Sequence, residues 1–298
     1  MDINKRLQKV CEDVRFHEPM KNHTTFRIGG SADIFCEPGN VGELKKILNI
    51  LKEEKISYII VGNGSDLLVK DNGIRGAVIK IGEKMSDIKV CGSRIYVQSG
   101  ALLSKTANAA LKHGLSGMEC ISGIPASIGG AIYMNAGAYG GEMSQIVHSV
   151  TYITTDGEIK TAVGEELGFG YRKSLFTDSD NIILYCELQL KEGCPEEIRK
   201  LMNEVGIKRK TKQPLNLPSA GSVFKRPEGY FAGKLIEDCG LKGFSVGGAS
   251  VSELHAGFIV NNNNATAKDV IELIHHIQNE VYKKFGVMLE TEVKIIGE

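Results

Sequence analysis

One long uncharged segment constrains the fold of this chain more than any other feature of its sequence. From Cys120 to Gly141 the chain carries no charged residue over 22 positions, which is long enough to cross a bilayer as a helix. The segment nevertheless contains six glycines, a proline and an asparagine, and such residues disfavour a continuous helix. Its backbone is therefore free to lie close to a flat or extended ligand. We predict a buried system of glycine-rich loops; the alternative is that its small residues only permit tight packing of a helix on a strand.

A second glycine-rich segment directly follows the predicted buried strand Tyr58–Val61. Consecutive backbone N–H groups in a loop such as Gly62–Asp66 can bind an anion, for example a pyrophosphate. The loop is not a Rossmann fingerprint, because Leu67 occupies the position of the third glycine. Taken alone, the loop is equally well interpreted as an ordinary turn after a strand. Together, the two segments favour one large nucleotide-like ligand.

Composition and charge exclude several classes of protein. The 298 residues include 36 basic and 36 acidic side chains, and this zero balance argues against nucleic-acid binding. The seven cysteines are scattered without a Cys-x-x-Cys pair, as expected of reduced thiols in a cytoplasm, so we expect no zinc site. The charged N-terminal segment lacks the apolar stretch of a signal peptide. We therefore expect a cytoplasmic protein without a membrane partner or a metal.

Helical and strand patterns alternate irregularly along the chain and include hairpins, so the predicted fold class is α+β. Pro214, Pro218 and the Ser/Gly-rich residues after them suggest a crossing between two domains. A predicted strand, 287–296, closes the chain. Its alternation places Glu290 and Glu292 on one face, where they either form a solvated edge or line a site.

Three further residues are candidates for a site. Asn135 lies in the uncharged segment and offers both a donor and an acceptor to a polar heterocycle. Arg172 lies among glycines and aromatic residues, although a lone arginine is usually a solvated side chain. Ser222 follows two prolines and a glycine that would fix its backbone, although a serine in such a loop is more often a turn residue.

Eight segments of the chain, taken in order, carry a resemblance to one enzyme family. They are NHTTFRIGG (22–30), VGNGSDLLV (61–69), SGIPASIGGAIYMNAGAYGGE (122–142), FGYRKS (169–174), AGSVFKRP (220–227), AGKLIEDCGLKG (232–243), HAGFIVN (255–261) and LETEVKIIG (289–297). In sequence and order they resemble the UDP-N-acetylenolpyruvoylglucosamine reductase family over nearly the whole chain. The length resembles the shorter branch of the family, which lacks an added substrate-covering loop.

The resemblance implies a fold and a cofactor. The implied fold is a two-part FAD-binding module of the vanillyl-alcohol-oxidase-like type at residues 1–204, with parts at about 1–75 and 76–204. A smaller α+β substrate domain would follow at residues 205–298. The implied cofactor is FAD, held without a covalent bond. Family matching assigns its binding to Gly62, Asn63, Gly64, Ser65, Asp66, Leu67, Gly123, Pro125, Ser127, Gly130, Asn135, Gly137 and Ala138.

The resemblance also implies an activity with two half-reactions. NADPH reduces the flavin as a co-substrate; UDP-N-acetylglucosamine enolpyruvate then receives hydride at its vinyl carbon, in peptidoglycan precursor synthesis. Family matching makes Ser222 the proton donor to the neighbouring carbon and places Arg172 and Glu292 around the developing enolate. It assigns Tyr171 and Lys225 to substrate binding.

Two other classes of function remain open on the sequence. A different FAD-dependent oxidase on the same fold would react quickly with oxygen and ignore the UDP-sugar. A nucleotide-sugar binding protein without redox activity would be colourless when purified.

Overall fold

The computed structural model describes residues 2–298, in which helices and strands follow each other in mixed order. The helices are α1 (Ile3–Val10), α2 (Val41–Glu53), α3 (Leu103–Lys112), α4 (Ile128–Tyr133), α5 (Pro195–Lys212), α6 (Ala232–Asp238) and α7 (Ala267–Phe285). The strands of the first half are β1 (Val14–Pro19), β2 (Ser31–Cys36), β3 (Tyr58–Val61), β4 (Leu67–Val69), β5 (Ile74–Lys80), β6 (Ile88–Cys91), β7 (Arg94–Gln98), β8 (Leu115–Ser116), β9 (Gly137–Ala138) and β10 (Gly141–Glu142). Those of the second half are β11 (Val147–Ile153), β12 (Ile159–Val163), β13 (Ile182–Gln189), β14 (Lys191–Glu192), β15 (Ser219–Ser222), β16 (Ser245–Val246), β17 (Ala249–Val251), β18 (Phe258–Asn261) and β19 (Lys294–Ile296).

The chain divides into two compact units, and each unit is assembled from three segments. The first unit contains the chain through Arg15, Phe35–Asn63 and Val78–Lys208, and the second contains Phe16–Ile34, Gly64–Ala77 and Arg209–Glu298. The chain therefore passes from one unit to the other five times: inside β1, β2, β5 and α5, and in the loop after Asn63. The family resemblance places the boundary between the two parts of the FAD-binding module near residue 75 and the end of the module at residue 204. These boundaries remain a prediction.

The first unit is built on a five-stranded antiparallel sheet with the order β12-β11-β13-β7-β6. At its centre Cys186 pairs with Val150 on one side and with Val97 on the other, and all three side chains are buried. Leu103 of α3 and Ile132 of α4 belong to the same apolar core. The uncharged segment Cys120–Gly141, which contains α4, is therefore anchored in this core.

The second unit combines helices with an antiparallel sheet of order β15-β18-β17-β16. Helix α7 begins at Thr266, whose side chain accepts the N–H of Asp269, and it ends at Gly286 in the left-handed conformation. Its buried side chains recur every three or four residues, as expected for a helix with one face in a core: Val270, Leu273, Ile274, Ile277 and Val281. Strand β19 pairs in parallel with β4, so the end of the chain joins this unit.

The closing strand is shorter than predicted. Regular pairing begins only at β19, whereas the preceding residues belong to no regular element and make one isolated bridge, between Thr291 and Phe224. The predicted alternation still holds, because Leu289 is buried and Glu290 is exposed. A loop, not a strand, lies beside residues 287–293, and it offers only scattered backbone partners.

The uncharged segment forms short elements in the structure. It contains the six-residue helix α4 and the small hairpin β9–β10. Within residues 2–298, none of the helices combines the length and the apolar character that a membrane crossing requires.

Candidate functional site

A cavity of about 350 Å³ lies in the first unit, where three strands end. Its wall includes Glu37 after β2, Gly62 after β3 and Ile81 after β5. Gly100 and Ser127 also line the cavity, and they belong to the part of the unit that contains the five-stranded sheet. Ligands of α/β proteins commonly bind outside the ends of neighbouring strands, so this cavity is a candidate binding site.

The two glycine-rich segments meet at this cavity. Asn63 Nδ2 donates a hydrogen bond to the carbonyl of Pro125, with 2.6 Å between the two atoms. A Cβ atom at Gly62 would overlap Ser127 Oγ, so glycine lets this serine side chain lie against the chain after β3. Ser127 begins α4, and its Oγ accepts the N–H of Gly130 at 3.4 Å. Five of the predicted cofactor-binding residues are thus neighbours in the first unit.

Gly130 differs from its neighbour Gly129 because its open side faces space. The single atom within 4 Å of a Cβ built there is Ser127 Oγ, at 3.4 Å. At Gly129, by contrast, a Cβ would lie 2.9 Å from the Cβ of Ser99. A side chain at position 130 would therefore enter the space beside the cavity without disturbing the core.

Three other predicted cofactor-binding residues of the uncharged segment lie outside the cavity wall. Gly123 is exposed in a turn, and Gly137 and Ala138 form β9 of the small hairpin. A Cβ at Gly137 would lie 2.9 Å from the Cβ of Glu142, so close packing within the hairpin already accounts for this glycine.

The remaining predicted cofactor-binding residues after β3, Gly64–Leu67, belong to the second unit. Gly64 has a φ of +62°, and a Cβ there would overlap the carbonyl oxygen of His23, so the position requires glycine. Ser65 is half-buried, and the carbonyl of Asp66 accepts the N–H of Lys294 at 2.9 Å. Leu67 opens β4 and pairs with the same lysine. The loop is thereby tied to the end of the chain.

Arg172 lies at the tip of a tight turn in the first unit. Gly170 and Lys173 exchange backbone hydrogen bonds of 3.0 and 3.2 Å across the turn. Arg172 has a φ of +54°, an unusual conformation for a residue other than glycine. Its guanidinium lies 5.0 Å from the ring centroid of Tyr171, whose exposure is 55%. The two residues therefore present a cation and an aromatic ring together at the surface of the unit.

In the second unit, Ser222 and Glu292 lie on neighbouring stretches of chain. The N–H of Glu292 donates to the carbonyl of Val223 at 2.7 Å, next to Ser222 at the end of β15. Lys225 Nζ lies 3.1 Å from Glu290 Oε2, and the Glu290 side chain is 74% exposed. The two carboxylates of the closing segment therefore have different surroundings. Glu290 is exposed and pairs with Lys225, and Glu292 is half-buried beside Ser222.

The sequence analysis missed the charged residues of the cavity wall. Lys80 Nζ lies 3.9 Å from Glu37 Oε2. Lys105 donates to Glu83 at 2.8 Å, and this contact holds the pKa of the Glu83 carboxyl below its usual value. Glu37 and Lys80 stand at strand ends, which is the one signal in the sequence that could have identified them. Within residues 2–298, no group of three or more His, Cys, Asp or Glu side chains is arranged to hold a metal ion.

Comparisons with known families divide this chain into two regions. Residues 32–162 match the family described as FAD binding domain. Residues 213–296 match the family described as UDP-N-acetylenolpyruvoylglucosamine reductase, C-terminal domain.

Named relatives match nearly the full length of the chain. The UDP-N-acetylenolpyruvoylglucosamine reductase of Clostridioides difficile (strain 630) is 52% identical over 287 residues, which cover 96% of this chain and 94% of the relative. The reductase of the same name from Caldanaerobacter subterraneus subsp. tengcongensis is 49% identical and covers 98% of this chain and 97% of its own.

Solved structures agree with these matches. The crystal structure of UDP-N-acetylenolpyruvylglucosamine reductase from Thermus caldophilus superposes with a TM-score of 0.83 at 38% identity, over 96% of this chain and 98% of that one. Phl p 4, a grass pollen allergen with glucose dehydrogenase activity, has a TM-score of 0.50 at 15% identity over 65% of this chain and 45% of its own, and shares the fold alone. The predicted fold class is confirmed.

Proposed function

Because this chain belongs to the UDP-N-acetylenolpyruvoylglucosamine reductase family, we propose that it reduces UDP-N-acetylglucosamine enolpyruvate to UDP-N-acetylmuramate with NADPH. The observation that carries this proposal is the similarity of relatives with that name over more than nine-tenths of both chains. It is an FAD-containing oxidoreductase of peptidoglycan precursor synthesis. Since NADPH and UDP-sugars are cytoplasmic compounds, we place the reaction in the cytoplasm.

The glycine-rich cavity of the first unit fits a dinucleotide cofactor. Gly130 leaves backbone uncovered, and Gly62 lets Ser127 lie against the chain after β3. Ser127 and Asn63 add polar atoms at the same place. These residues would hold the phosphate-bearing part of FAD without a covalent bond. The chemistry supplied by bound FAD is hydride transfer from NADPH to the vinyl carbon of the substrate. The assignments of Gly64–Leu67, Gly123, Gly137 and Ala138 to FAD remain predictions.

The second unit supplies the proton in this proposal. Addition of hydride to the vinyl carbon leaves negative charge on the neighbouring carbon, which must then be protonated. Ser222 donates that proton from its hydroxyl, whose position is set by the last pair of β15 with Phe258. A serine hydroxyl is a weak acid, so it needs a strongly basic carbon and an oriented setting.

Charge stabilisation is the proposed role of Arg172 and Glu292. A cation beside the substrate carboxylate favours the enolate that develops there, and Arg172 is permanently charged. Glu292 is half-buried beside Ser222, where much of the solvent is excluded. Its carboxylate would keep the charged groups around the developing enolate in orientation. Tyr171 and Lys225 would contact the substrate; Lys225 would exchange its exposed partner Glu290 for a phosphate of the UDP group.

The visible spectrum of the purified protein tests this function. We expect a yellow protein that is bleached by anaerobic NADPH and regains its oxidised spectrum when the enolpyruvyl UDP-sugar is added. Rapid reoxidation by oxygen with no response to the sugar would favour a different oxidase of the same fold. A colourless protein that stays colourless after incubation with FAD would contradict the proposal.

Replacing Gly130 by valine is expected to remove FAD and leave the fold intact. The valine side chain enters the open space beside Ser127, where the cofactor would approach the protein backbone. The measurement is the ratio of flavin to protein absorbance after gel filtration, with circular dichroism as the check on folding.

Gly206→Val is the matched control, because Gly206 lies in α5 with no atom within 4 Å of a built Cβ. This variant should keep its flavin. A fully yellow Gly130→Val protein would show that the assigned path of the cofactor is wrong.

A further inference from the structure

The side chain of Asn135 is fully engaged with backbone groups of two loops. It is 2% exposed. Its Nδ2 donates to the carbonyl of Gly170 at 3.0 Å, and its Oδ1 accepts the N–H of Ser144 at 2.9 Å. Both polar groups that the sequence analysis offered to a ligand therefore have protein partners.

The conformation of Asn135 restricts the residue types that can stand there. Its φ is +42°, in the left-handed region that asparagine, aspartate and glycine tolerate better than other residues. Of these, asparagine alone carries both a donor and an acceptor. The position thus selects for a residue that bridges two backbones from a left-handed turn.

A second set of contacts fixes the same loop to the end of α4. Ser174 Oγ and Thr177 Oγ1 both donate to the carbonyl of Tyr133, at 2.8 and 3.0 Å. The hydroxyl of Tyr133 donates in return to the carbonyl of Thr177 at 3.1 Å. Burial raises the pKa of Tyr133, so its phenol remains a neutral donor. The turn that carries Arg172 is thereby held on both sides, at Gly170 and at Ser174.

We propose that Asn135 is a positioning residue that sets the place of the Arg172 guanidinium by holding the carbonyl of Gly170. The inference rests on the proposed function, in which Arg172 contacts the substrate. Asn135 holds Gly170, which closes the turn with Lys173, and Arg172 is at the tip of that turn. Because α4 begins at Ser127 on the cavity wall and ends next to Asn135, one short helix connects the cofactor cavity to the substrate-binding turn.

Asn135→Gly tests this role without backbone strain, because glycine keeps the left-handed conformation and removes both hydrogen bonds. We expect FAD to stay bound and its reduction by NADPH to be normal. Reoxidation by the enolpyruvyl sugar should slow by roughly 100-fold, the size of effect that a displacement of about 1 Å can have. Hydrogen exchange at the amides of Gly170 and Lys173 should accelerate in the same variant.

A double-mutant cycle with Arg172→Ala separates positioning from a general structural effect. If Asn135 acts through Arg172, then Asn135→Gly causes no further loss in the Arg172→Ala background. Asn135→Asp serves as the second variant, since it keeps the acceptor for Ser144 and removes the donor to Gly170. Ser144→Ala is the control: it leaves the backbone N–H in place and should behave as the parent protein.

Four results would overturn the inference. Losses that multiply in the double variant would show that Asn135 acts independently of Arg172. Loss of FAD from Asn135→Gly, with the fold retained, would return the residue to cofactor binding. If Arg172→Ala itself had normal activity, both the inference and the proposed role of Arg172 would fail. If Arg172→Ala were impaired and Asn135→Gly were normal, the inference alone would fail.

Discussion

Replacing Ser222 by alanine is expected to leave flavin reduction by NADPH almost unchanged and to abolish reduction of the enolpyruvyl sugar. The hydroxyl is needed only after hydride has reached the vinyl carbon, when the neighbouring carbon awaits a proton. Loss of a general acid costs about 100- to 10,000-fold in rate. The alanine keeps the backbone pair with Phe258, so the strand should not change. Stopped-flow flavin absorbance, followed separately for the two half-reactions, measures the effect.

Two further variants sharpen the Ser222 experiment. Ser222→Cys should recover part of the lost rate, because a thiol is a stronger acid than a hydroxyl. Ser219→Ala, at the other end of β15, should be normal in both half-reactions, since the contact of Ser219 with Thr25 uses its backbone carbonyl. Equal impairment of both half-reactions in Ser222→Ala, with flavin still bound, would refute the role of proton donor.

Arg172→Ala and Glu292→Gln are expected to depress turnover by 100- to 1000-fold while FAD stays bound. Loss of one preorganised electrostatic partner typically costs roughly 3–4 kcal/mol in the barrier. The steady-state rate with saturating NADPH and enolpyruvyl sugar measures the loss, and flavin absorbance reports cofactor content.

The structure provides matched controls for both charged residues. Glu290→Gln should be far milder than Glu292→Gln, because Glu290 is a largely exposed carboxylate and its ion pair with Lys225 is a surface pair. Lys173→Ala should likewise be mild, since Lys173 is 61% exposed and pairs with Asp178 at 3.1 Å. A critical Glu290 would refute the choice between the two carboxylates.

Local features of the fold were accessible from the sequence. The end of α7 at Gly286 and the strand before Gly62 follow from short-range patterns, since both depend on residues that are neighbours in the chain. The alternation of buried and exposed residues after Gly286 was also predictable, although the length of the closing strand was not. Strand length depends on whether a partner strand lies alongside, and Val223 to Lys225 offer only a loop.

The remaining features of the site depend on contacts that no local pattern encodes. Glu37 and Lys80 line the cavity because β2 and β5 are neighbouring strands of one sheet, which places the ends of these strands together. Asn135 was recognised as a polar residue in a glycine-rich segment, but its partner Gly170 lies 35 positions away. A donor and an acceptor in such a segment could serve a ligand or a distant backbone equally well, and only the fold decides between the two.

The division of each unit into three chain segments has a consequence for how the protein is made. Phe26 and Leu68 belong to the same apolar core as Val293, and Leu67 pairs with Lys294. During synthesis, residues 16–34 and 64–77 leave the ribosome long before their partners in 209–298 exist. Since chain growth proceeds at about 5–20 residues per second, these apolar segments wait roughly 10–50 seconds without their native neighbours. The second unit therefore completes its fold only after residues 209–298 have been synthesised, and a chain that stops before them leaves the earlier segments exposed to aggregation and to chaperones.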